Sequence, residues 1–166
     1  SLRNTCVIWG ANFVPQILLA LVLAVWFTSS RSKIRGKGFF KVLFYMPNII
    51  TAATIAMLFT KLFDYNKGPV NDLLRFMGVI EAGQPNINFF ATKGAARAIV
   101  AFIQFWMWYG YTMIILISGI LGISPELFEA ADIDGANGWQ KFKYVTLPNL
   151  KSIMLFTLVT SMIGGM

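Results

Sequence analysis

AIVAFIQFWMWYGYTMIILISGIL, Ala98 to Leu121, decides the class of the fold, because it lies within 28 consecutive uncharged residues between Arg97 and Glu126. About 20 mostly apolar residues suffice for a helix to cross a hydrocarbon core of roughly 30 Å, so residues 98–121 read as a membrane span. Toward the N-terminus, 27 uncharged residues separate Arg3 from Arg31, almost wholly apolar from Ile17 to Phe27, and give a span at about 6–27. Between Lys41 and Lys61, 19 uncharged residues give another at about 42–60, with Pro47 and Asn48 near its start. The 15 residues after Lys151 begin a fourth, 152–166, too short to cross with any margin. The expected fold is an all-α integral membrane protein, a polytopic helical bundle.

The chain opens at Ser1 without the basic, apolar and cleavage regions of a signal peptide, and its last apolar run stops at Met166. We therefore expect a fragment of a larger membrane protein, incomplete in its fourth span, with helices missing at both ends. A half-length helix would leave backbone carbonyls bare in lipid.

Composition narrows the function. The chain is 57% hydrophobic and 13% charged, against roughly 25% charged in a soluble domain. Its net charge of +7 sits between long uncharged runs instead of forming a basic stripe, which argues against a nucleic-acid partner. With no His and only Cys6, a His-ligated metal, a His-dependent triad and an internal disulfide are excluded, and no metal site is expected.

The connections carry the orientation. Arg31, Lys33, Arg35, Lys37 and Lys41 fall within eleven residues, and this density favours the cytoplasmic side for the first loop. Alternation then puts 61–97 outside and 122–151 inside. In the outer segment Val70, Leu73, Leu74 and Met77 repeat at i, i+3, i+4, i+7, which predicts a short amphipathic helix over 70–77 at the membrane surface.

The 122–151 connection is more specific. Ser124, Pro125 and Glu126 combine a capping residue, a first-turn proline and an acid at the positive end of a helix dipole. The helix should run through Glu129 to Ile133 and end at Asp134-Gly135. Trp139, Phe142 and Val145 place a second short helix, expected to stop before Pro148. The elbow, 124–148, has small Ala residues and an aromatic edge, and on these features it reads as a docking surface.

Glu129-Ala130-Ala131, three residues, Gly135, nine residues, then Val145-Thr146-Leu147-Pro148 resembles the EAA loop of permease subunits in ATP-binding-cassette importers, with Val145 in place of the usual Ile. The whole string EAADIDGANGWQKFKYVTLP, 129–148, is similar to the carbohydrate-uptake branch, the maltose and glycerol-phosphate permeases. Phe44-Tyr45-Met46-Pro47, Gly68-Pro69-Val70-Asn71 and Leu73-Leu74 agree with that branch. The resemblance implies an importer-permease bundle of about six spans. It also implies an ATPase-coupling role for Glu129, Ala130, Ala131, Asp134, Gly135, Ala136, Trp139, Phe142, Leu147 and Pro148, with Glu129 as the ionic contact. The implied partners are a cytoplasmic ATPase dimer that binds the ATP, a second permease subunit, copy or paralogue, and an external solute-binding protein. The implied location is a bacterial or archaeal cytoplasmic membrane, crossed several times. The chain has no G-x-x-x-x-G-K-[ST] phosphate loop, so it is expected to be no enzyme and to hold no cofactor of its own.

Polar residues within the spans mark a candidate substrate path: Asn12 and Gln16 at i, i+4, Gln104, Trp108 and Tyr111 at i, i+4, i+7, and Thr157 with Ser161. Such residues usually face the bundle interior. Two uses are open to them, lining a path that suits a sugar or bonding helix to helix. A permease for another small solute and an ion-coupled secondary transporter are the alternatives, the latter weakened because the spans hold no acid.

Overall fold

The computed structural model of the chain describes residues 2–29, 36–81 and 83–165. The elements are α1 (Leu2–Thr28), α2 (Lys37–Ile49), α3 (Ala52–Leu62), α4 (Pro69–Phe76), α5 (Lys93–Leu121), α6 (Pro125–Ile133), α7 (Gly138–Lys141) and α8 (Leu147–Gly165). A π turn, Phe142–Thr146, joins α7 to α8 without a break. Helices Arg3–Thr28, Lys93–Leu121 and Gly138–Gly164 are each long and apolar enough to cross a membrane, and α2 with α3 makes a fourth, bent candidate. Of the basic first loop, Arg31, Lys33 and Arg35 lie outside the described residues. Lys37 donates to the Phe27 and Ser29 carbonyls at 3.1 and 3.3 Å and so caps the end of α1 with a cation.

The core lies where α1, α5 and α8 meet. Ala20 and Ala24, one turn apart, are fully buried with Phe27 against Met113, Leu116, Ile117 and Ile120 of α5 and Leu150 of α8. Small residues allow helix backbones to approach closely, which in lipid replaces the hydrophobic drive as the source of packing energy. Val14, Leu18 and Val22 on the other side of α1 are exposed, so this helix is apolar all round, as expected of a span. A second cluster joins Ile55 and Phe59 of α3 to Ile99 of α5.

Two sequence expectations are changed. The 42–60 run, read as one span, is two helices crossing at 88°. Ile50 and Thr51 are both extended (ψ 135° and 143°), and Thr51 Oγ1 accepts the Thr54 N–H, starting α3 afresh. Hydropathy counts charge and is blind to such a break. Second, the elbow's second helix does not stop before Pro148. It continues as one helical run, Gly138–Gly164, which joins the elbow's second helix to the fourth apolar stretch. Pro148 has no N–H and its ring crowds the carbonyl four residues back. The wider turn ahead of it bonds the Leu147 N–H to the Phe142 carbonyl, and the Asn149 amide takes the Val145 carbonyl at 2.7 Å.

The short helix expected over 70–77 forms at Pro69–Phe76, and Leu73 and Met77 of its apolar face are exposed within this chain. Its buried residue is Asn71, which donates to the Asp64 and Ile87 carbonyls and accepts the Ile87 N–H. A loop without ladder partners needs such a side chain to satisfy its backbone. Asp64 closes the neighbouring turn, and the N–H groups of Lys67 and Asn66 hold its carboxyl below the usual carboxylate range. Its contribution is therefore present above the ordinary carboxylate pKa and lost as pH falls through the lowered value.

Candidate functional site

The first candidate site is the elbow. Pro125 occupies the first position of α6 and Glu126 its first turn, while Ser124 is at the cap position with no side-chain capping bond. The helix ends as a Schellman motif: the Ala136 N–H reaches the Ala131 carbonyl at 2.8 Å and the Gly135 N–H the Asp132 carbonyl at 3.0 Å. This closure requires a left-handed residue, and Gly135 has φ +72°. A capping box then starts α7, with Asn137 Oδ1 accepting the Gln140 N–H at 2.9 Å and Gln140 Oε1 accepting the Asn137 N–H at 2.8 Å. Lys141 of α7 pairs with Asp132 of α6 and braces the corner.

These caps hold α6 and α7 around a groove lined by Leu127, Ala130, Ala131, Asp134, Gly135 and Ala136, with Gln140, Lys141, Tyr144 and Val145 opposite. Five of the ten elbow residues named from the sequence thus converge. Glu129 is exposed and forms no ion pair among the described residues. Trp139 is exposed with its ring 5.4 Å from that of Phe142. Leu147 and Pro148 sit past the π turn, outside the groove. Neither α6 nor α7 buries a residue, and Ile133 is 87% exposed. Leu127, Ile133, Trp139 and Tyr144 leave apolar surface on this well-capped corner that no described residue covers, and such a patch marks an interaction site. The bracing pair and the capping box escaped the sequence reading, although Asn137-x-x-Gln140 is a capping-box spacing.

The second candidate site is a cavity of about 270 Å³ between α1, α5 and α8. All seven residues of the candidate substrate path line it, joined by Trp9, Thr112, Thr160 and Gly164. Asn12 Nδ2 donates to Gln104 Oε1 at 2.7 Å and Gln16 Nε2 to Thr112 Oγ1 at 2.8 Å, tying α1 to α5. Trp9 Nε1 donates to Ser161 Oγ at 3.0 Å, tying α1 to α8. The same amides thus bond helix to helix and face a shared space. Trp9 stacks on Phe13, whereas Trp108 meets Tyr111 edge-on at 5.8 Å, and both of the latter rings are partly exposed. Trp9 and Thr112 were missed because one lies a turn before the polar pair on α1 and the other looks like ordinary span lining.

Residues 11–166 match the family described as "Binding-protein-dependent transport system inner membrane component". The chain is 32% identical over 164 residues to a lactose transport system permease protein of Rhizobium radiobacter, covering 99% of this chain and 53% of that protein. It is 29% identical over 165 residues to an arabinooligosaccharides transport system permease protein of Bacillus subtilis, covering 99% and 51%. In structure it superimposes with a TM-score of 0.79 on a chain of a bacterial ABC transporter involved in the import of the acidic polysaccharide alginate. That match is 24% identical and covers 96% of this chain and 54% of the other. The chain thus spans about half the length of the relatives it matches.

Proposed function

Because the chain belongs to the binding-protein-dependent transport system inner membrane components, we propose that it forms part of a permease subunit in an ATP-driven importer of sugars or oligosaccharides. In this reading the elbow docks on a cytoplasmic ATPase dimer, which binds and hydrolyses the ATP. The cavity forms part of the solute path, a second permease completes it, and a solute-binding protein delivers the cargo from outside. The location is the cytoplasmic membrane of a bacterium or archaeon. The observation that carries the reading is the continuity of one helical run, Gly138–Gly164. Its first turn belongs to the elbow, and Thr157, Thr160 and Ser161 near its end line the cavity. A rigid helix transmits a displacement of one end to the other, so movement of the elbow reaches the cavity wall.

Reconstitution of the full-length permease in vesicles, omitting each partner in turn, tests this. Sugar uptake should require ATP, the ATPase and the binding protein. Uptake driven by an ion gradient without ATP would support the secondary-transporter reading instead.

The orientation has its own expected result. In a Cys6→Ser background, Phe76→Cys should react with an impermeant thiol reagent from outside, and Ile133→Cys only from the cytoplasmic face. These positions are 90% and 87% exposed, unlike Asn71, which is buried on the same helix as Phe76. Labelling of Phe76→Cys only from the cytoplasmic side would invert the topology.

A further inference from the structure

We propose that the cavity between α1, α5 and α8 selects uncharged, hydroxyl-bearing solutes and rejects carboxylated or phosphorylated ones. The inference rests on the reading of this cavity as part of the solute path, and it adds what the wall accepts.

Among the described residues, the lining contains no Lys, Arg, Asp or Glu. What remains is decided by which hydrogen-bonding valences the protein has already spent. Thr112 Oγ1 donates its proton to the Trp108 carbonyl at 3.1 Å, so toward Gln16 it must accept. This orients the Gln16 amide: one Nε2 hydrogen goes to Thr112, and the other hydrogen and Oε1 stay open. Thr157 and Thr160 give their protons to the Met154 and Phe156 carbonyls, each at 2.8 Å, and keep only lone pairs. The Trp9 N–H is spent on Ser161 Oγ. The Asn12–Gln104 pair leaves Asn12 Oδ1, the second Asn12 Nδ2 hydrogen and the Gln104 Nε2 hydrogens.

The unspent set thus mixes acceptors, Gln16 Oε1, Asn12 Oδ1 and the two threonine oxygens, with uncharged donors, the remaining amide hydrogens of Gln16, Asn12 and Gln104 and the hydroxyls of Ser161 and Tyr111. A sugar hydroxyl donates and accepts, and it satisfies both kinds. A carboxylate or phosphate only accepts; it would leave the wall's acceptors without a donor and meet no cation among the described lining residues, in a medium that penalises an unpaired charge. Trp108 and Tyr111 supply exposed aromatic surface against which the C–H face of a sugar ring packs.

The test is binding to the full-length permease in lipid nanodiscs without the solute-binding protein, so that only the permease discriminates. Tryptophan fluorescence is titrated with lactose, with arabinooligosaccharides and with alginate oligosaccharides of matching length, and Trp108→Phe identifies the signal from the cavity. The neutral sugars should perturb the Trp108 signal at concentrations at least tenfold lower than alginate. Thr160→Lys adds a cation to the wall without breaking any helix-to-helix bond, and it should narrow that ratio severalfold. Alginate binding as tightly as the neutral sugars would overturn the selectivity while leaving the path intact. Absence of any Trp108-dependent signal with both classes would remove the cavity from the path, and the selectivity with it.

Discussion

Glu129→Lys is expected to abolish ATP-driven uptake while the permease accumulates and inserts normally. Glu129 is exposed in this chain and takes no ion-pair partner among the described residues, so its replacement costs the fold within about 0.5 kcal/mol. On the proposed ATPase its carboxylate meets a cation at a partly dry contact, where charge-assisted bonds are strong. Breaking one side of such a pair costs about 3–5 kcal/mol, more than a hundredfold in association. Co-purification of the ATPase and uptake in vesicles measure the two effects, and normal uptake would remove Glu129 from the coupling contact. Gly135→Val should act in the same direction by a different cause. No atom lies within 4 Å of a Cβ at that position, so the penalty is conformational, about 1–2 kcal/mol for a left-handed residue with a side chain. It loosens the corner that presents Glu129 and should weaken ATPase association about five- to thirtyfold.

Gly110→Val is expected to lower the melting temperature of the purified full-length permease sharply and to reduce its level in the membrane. A Cβ at Gly110 would lie 2.1 Å from the Phe44 carbonyl oxygen and 2.9 Å from Tyr45 Cα. Both are backbone atoms of α2, so no side-chain rotation relieves the clash and the helix itself must withdraw. Withdrawal also strains the Asn48 bond to the Met107 carbonyl at 3.3 Å and the packing of the Phe44 ring against Tyr109. Overpacking of a formed core costs about 1–3 kcal/mol, and occasionally more; two backbones in contact put this site at the upper end. Gly94→Ala, in the first turn of the same helix with open space around it, is the control and should leave stability unchanged. A Gly110→Val protein as stable as wild type would show that α2 does not rest on α5 there.

Much of this organisation is a local matter and was legible in the order of residues. Uncharged runs define the spans because bilayer thickness sets a length and hydrocarbon excludes charge. Pro125 and Glu126 start α6 and Gly135 ends it because helix termini are settled within one turn by the groups left without partners. Helical periodicity likewise put Asn12 with Gln16, and Gln104 with Trp108 and Tyr111, on common faces. What periodicity does not determine is which faces meet. Asn12 finds Gln104, 92 positions away, because Ala20 and Ala24 let α1 settle along α5 in one rotation, and Ser161 joins them because Leu150 anchors α8 in the same core. The 88° break after Ile49 and the passage of the last helix through Pro148 were likewise settled by tertiary structure. Each leaves backbone groups without their usual partners. Asn48 and Thr51 flank the break, the π turn and Asn149 serve the groups beside Pro148, and the folded chain decides that these side chains reach them.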